Sequence, residues 1–161
     1  MYMTILSEGA RAGPLSRKGK NIMKKYLNVS LIYAIAAMVG GVFYREFTKI
    51  KGFYGVTTLG KVHTHLFILG MLVFIVISLF AAQGKLEEIK LFRIFLWVYN
   101  SGLILTVIMM VVRGITEVLG TPLTKGASAA ISGIAGIGHI ILSAGIILLI
   151  ISLKKVAKKQ E

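Results

Sequence analysis

Four long apolar runs decide what this chain can fold into. They are Tyr26–Tyr44, His63–Ala82, Phe92–Val112 and Ala127–Leu153, each close to the ~20 residues with which an α-helix crosses a bilayer. Inside a bilayer every backbone polar group has to be paired within the protein, which favours helices for segments of this kind. The chain is 56% hydrophobic and 16% charged, whereas a soluble domain carries about 25% charged residues. The expectation is therefore an all-α, integral membrane four-helix bundle over residues 23–161. Short connections make consecutive helices antiparallel neighbours, up-down-up-down.

The net charge of +13 is concentrated at the two ends. Arg11, Arg17, Lys18, Lys20, Lys24 and Lys25 precede the first run, and Lys154, Lys155, Lys158 and Lys159 follow the last. By the positive-inside rule both termini are expected on the cytoplasmic side of a bacterial cell membrane. Charge so placed reads as a topology signal beside anionic lipid, not as a nucleic-acid footprint. Residues 1–22 are polar and glycine-containing and read as a disordered basic tail. Met23-Lys24-Lys25 looks like a natural start, which would make that tail an upstream extension. The chain has no cysteine, so disulfides, thiolate metal sites, iron–sulfur clusters and thioether-linked haem are excluded.

The chemistry-bearing residues are few. Of three histidines, His63 and His65 stand at the mouth of the second run and His139 lies inside the fourth. Ionisable side chains at membrane depth are costly and mark functional sites. Runs two and four point the same way in the expected bundle. At ~1.5 Å per residue, counting from their basic ends, His139 differs in depth from His65 by about 5 Å and from His63 by about 8 Å. His63 and His65 are about 200° apart around a helix, so only one of them can face His139. Depth favours His65. The other face, running from His63 through Gly70, offers a flat surface for a planar ligand. Around His139, Ser132, Ala135, Gly136 and Ser143 leave similar room.

One imidazole from each of two facing helices, with small residues alongside, suits an axially ligated haem b. His63, His65 and His139 are thus the candidate metal ligands, with Gly70 and Gly136 flanking them. Arg113 and Arg45 are candidates for the haem propionates, with Lys61 nearby. Arg113 and Glu117 are spaced to pair along their helix. Two other readings compete. A divalent-ion carrier for Zn²⁺ or Cu²⁺ would use the His-x-His spacing, although the intramembrane acids or thiolates expected of one are missing. A non-catalytic assembly subunit would use the histidines only as interhelical hydrogen-bonding groups.

The stretch Val62-His63-Thr64-His65-Leu66-Phe67-Ile68-Leu69-Gly70-Met71 resembles helix II of the catalytic subunits of the haem–copper oxidase superfamily. The resemblance implies a low-spin haem b ligated through the position of His63, with His65 where that family has Asn or Ser. His139 would be the second axial ligand by role. The copper site of those oxidases needs three further histidines that this chain lacks, so oxygen reduction is not implied. The segment from Met23 to Lys155 is also similar to a family of small uncharacterised four-helix bacterial membrane proteins. Its likeness lies in the patches Phe43-Tyr44-Arg45-Glu46-Phe47, His63-Thr64-His65, Arg113-Gly114 and Gly136-Ile137-Gly138-His139. Together these lead to a bis-histidine haem b protein for electron transfer or for sensing a gas or redox state. A redox partner or quinone is expected to exchange electrons with it, and the glycine faces suit a homo-oligomer.

Overall fold

The computed structural model describes residues 15–82 and 86–158. Among these it has four long helices and no strand. They are α1 (Arg17–Ile50), α2 (Leu59–Ala81), α3 (Lys90–Val118) and α4 (Lys125–Lys158), each long and apolar enough to cross a membrane. The helices extend past the apolar runs at nearly every end. The largest difference is at the start. Residues Arg17–Ile22, expected in the tail, form the first turns of α1, because the Ser16 hydroxyl accepts the Gly19 N–H at 3.1 Å and caps the helix. The rest of the expected tail lies outside the described residues.

Consecutive helices are neighbours. α1 lies along α2, α4 lies along α3, and the first part of α2, Leu59–His65, meets α3, with little contact between α1 and α4. The four therefore form two hairpins joined through α2 and α3, and each long side of the molecule carries a groove. One groove lies between α2 and α4, the other between α1 and α3. The α3–α4 seam is tight. A Cβ at Gly138 would stand 2.7 Å from the Thr106 hydroxyl, and one at Gly102 would stand 2.5 Å from the Leu142 nitrogen. Small residues are what allow membrane helices to approach so closely.

The core is aromatic. Tyr26, Phe74, Phe92, Phe95 and Tyr99 are all buried and stack or meet edge-on, with ring centroids 5.1–6.4 Å apart. Such pairs add to the area term. At the basic end, Lys25 and Tyr26 both reach Glu87 on the turn Leu86–Glu88, at 2.9 and 2.8 Å. Burial alone would raise the Glu87 pKa, but the hydrogen bonds and the Lys25 and Lys18 charges outweigh it. The carboxyl is held below the usual range.

Candidate functional site

The site is assembled from the start of α2. Thr58 is the N-cap residue, as its sequence position suggests, but its own side chain does not close the cap. Glu117 of α3 does: its carboxylate accepts the Thr58 N–H at 2.7 Å and the Thr58 hydroxyl at 3.0 Å. An anion suits the positive end of a helix. The Thr57 hydroxyl donates to the Gly114 carbonyl at 3.1 Å. Gly114 has to be small, because a Cβ there would come within 2.5 Å of the Leu59 nitrogen. The first turn of α2 is thus fastened to α3. The expected Arg113–Glu117 pair does not form, since both side chains are used in holding neighbouring helices. The Arg113 guanidinium donates to the Ser128 carbonyl and hydroxyl and to the Ser132 hydroxyl, all on α4, at 2.7–3.2 Å.

With α2 fixed in this way, His65 looks across the groove at His139. Their ring centroids are 6.4 Å apart and the rings are nearly perpendicular, at 88°. Each Nδ1 lies against the carbonyl four residues earlier in its own helix, Lys61 at 2.9 Å for His65 and Ala135 at 2.8 Å for His139. An Nδ1–H donated to a carbonyl leaves Nε2 as the lone-pair nitrogen, the tautomer that a metal-ligating histidine needs. Around the rings is a cleft of about 370 Å³, lined by Thr58, Lys61, Met109, Met110, Arg113, Ser132 and Ala135, among others. Its floor is thioether and its upper wall is cationic.

Other sequence candidates fall elsewhere. His63 turns toward α1, where a Cβ at Gly41 would lie 3.7 Å from its ring, and its Nδ1 is buried without a hydrogen-bond partner. Gly70 is on that same face and gives no room to a ligand, because the Tyr33 ring fills it, 2.5 Å from where a Cβ would be. Gly136 has open space around it but is not among the residues lining the cleft. Arg45 is solvent-facing, 3.7 Å from Glu46, and also away from the cleft.

Directly after His65 the helix widens. Leu66–Leu72 is a π-helical segment, which sequence reasoning did not anticipate. Such segments are rare and recur at functional sites. Two hydroxyls from neighbouring helices donate to carbonyls of this segment. Tyr99 donates to Leu69 at 2.6 Å, and Ser30 donates to Met71 at 2.9 Å. Tyr99 and Ser30 are therefore the supports of the segment that follows His65. The signal in the sequence was a tyrosine and a serine set in otherwise apolar helices.

The profile of a family described as "Protein of unknown function (DUF2871)" matches residues 23–156. The chain belongs to that family. No curated protein and no solved structure matches it. In this DUF2871 protein the matched segment holds all four helices from Met23 onward, and with them both cleft histidines. Among the described residues, no group of three or more His, Cys, Asp or Glu side chains converges as a metal site. The two imidazoles are what the cleft offers.

Proposed function

We propose that this DUF2871 protein is a multi-pass membrane protein that binds one haem b between α2 and α4, where His65 and His139 would hold its iron. The observation that carries the reading is the paired imidazoles, 6.4 Å between ring centres, each tied through Nδ1 to its own helix. Two imidazoles so placed, one from each of two facing helices, would hold a haem iron between α2 and α4. The cleft chemistry fits the same group. Met109 and Met110 offer an apolar, polarizable floor, and Arg113 and Lys61 lie at one end where carboxylates would be received.

Haem iron supplies a one-electron couple. What the protein contributes is orientation, charge and exclusion of water. Held by two histidines, such a haem would serve electron transfer rather than gas binding. The basic end would face the cytoplasm of a bacterial cell, since Lys18, Lys20, Lys24, Lys25, Lys154, Lys155 and Lys158 cluster there. A Zn²⁺ or Cu²⁺ carrier is the weaker reading, because zinc sites use three or four protein ligands and the cleft brings two imidazoles together.

The test is the absorption spectrum of the detergent-purified protein, expressed with haem supplied, in oxidised and dithionite-reduced forms. A Soret band with sharp reduced α and β bands of a six-coordinate b-type haem, at one haem per chain, is expected. Colourless protein that takes up no haem on titration would overturn the proposal.

A further inference from the structure

The groove on the opposite side of the molecule has a different character. Between α1 and α3 the contacts are made by long side chains, with Tyr26 against Phe92 at 5.8 Å between ring centroids and Tyr33 hydrogen-bonded to Asn100. Three hollows follow one another along this side. At the basic end a shallow, open notch of about 300 Å³ lies on α3 alone, bordered by Lys90, Arg93, Ile94 and Trp97. Trp97 is shared with the next, of about 410 Å³, whose walls include Val29 and Asn100. Those two residues pass into a third, of about 340 Å³, bounded by Ile32, Leu103 and Ile108. At ~1.5 Å per residue, Trp97 to Ile108 spans about 16 Å. That is close to half of a hydrocarbon core of ~30 Å, one leaflet.

The charge at the mouth is unbalanced. Lys25 is taken by Glu87 at 2.9 Å, while Lys90 and Arg93 have no ion-pair partner among the described residues. Trp97 beside them is 80% exposed, at the level where indole rings sit among headgroups. Two free cations and an indole open onto an aliphatic slot one leaflet long.

We propose that this groove binds a single anionic phospholipid from the leaflet at the basic end. Its phosphate meets Lys90 and Arg93, and one acyl chain runs past Trp97 and Asn100 toward Ile108. The inference rests on the membrane-spanning reading and is independent of the haem. A helix from a second copy fits less well. With side chains it is ~10 Å across, whereas the aromatic and Tyr33–Asn100 bridges leave a slot suited to a row of methylenes. A second copy would also bring its own excess of basic charge to the same mouth.

Native mass spectrometry of the detergent-purified protein tests this, with phosphatidylglycerol and phosphatidylcholine of identical acyl chains added in turn. One phosphatidylglycerol is expected to be retained per chain, at least tenfold more strongly than phosphatidylcholine. Lys90 and Arg93 are exposed, so a Lys90→Gln/Arg93→Gln variant should keep its thermal stability. At about 1 kcal/mol per cation near anionic lipid, it should lose retention roughly 30-fold. Ala36 also lines the third hollow, so Ala36→Leu narrows the apolar slot without touching the charges and should lower retention as well. Equal retention of both lipids, or unchanged retention in the charge variant, would overturn the proposal. So would a dimer that Ala36→Leu disperses while lipid binding stays the same.

Discussion

The two faces of α2 carry histidines two residues apart and treat them in opposite ways. The His63 face is closed. Gly41 lets α1 approach it, Gly70 receives the Tyr33 ring, and Phe74 is buried further along. The His65 face stays open to a cleft whose far wall presents His139. Glycine on the first face serves helix-to-helix contact, and the space a ligand could use lies on the second. In a membrane helix, then, a small residue near a histidine marks a close approach of something, and the neighbouring helix is the first candidate for that something. A π segment begins right after His65 and includes Gly70 of the closed face.

The comparison can be broken most severely from the far wall. His139 is exposed on α4, so His139→Ala should leave the fold intact by circular dichroism and abolish the b-type haem spectrum. Full haem retention in that variant would remove α4 from the site. The closed face is probed by Gly70→Val. Its new side chain meets the Tyr33 ring, and overpacking of this kind costs about 1–3 kcal/mol, read as a lower melting temperature in detergent.

The π segment is probed by Tyr99→Phe, which strips one donor from the Leu69 carbonyl while keeping the ring. Loss of a hydrogen bond of this kind costs about 0.5–1.5 kcal/mol. Because the π segment leads directly from His65, the reduction potential of bound haem should shift together with the melting temperature. A change in melting alone would show that the segment has no hold on the ligand. The smallest effect is expected away from both faces. Glu87 has its carboxyl pKa lowered by its partners despite partial burial. Its contribution is therefore present above the unfolded-state pKa and is lost as pH falls through the lower folded value. Acid titration should loosen the α1 contact with the turn, and Glu87→Gln should remove that part of the pH dependence.

Four long apolar helices and their antiparallel order were legible because apolar run length and loop length leave few alternatives. The helix ends were less so: Ser16 starts α1 within a basic, polar stretch whose composition resembles a tail. At the site, depth counting favoured His65 while the glycine rule pointed to His63. It is His65 that the structure sets opposite His139. The glycine rule failed because sequence does not show that Tyr33 would occupy the space at Gly70. The Arg113–Glu117 spacing misled for a similar reason. Helix geometry permits the pair, but the open cap at Thr58 and the serines of α4 offer each side chain a better partner. The π segment had no periodic signature at all, since its cause is the set of hydroxyls on other helices.

The most direct measurement sets His63→Ala beside His65→Ala, both purified with haem supplied and compared in reduced-minus-oxidised absorption spectra. Removing His63 should leave the six-coordinate b-type bands in place, while removing His65 should eliminate them or convert the iron to a five-coordinate form. The reverse outcome, bands lost without His63 and kept without His65, would mean that the cleft facing His139 is not where the iron is held.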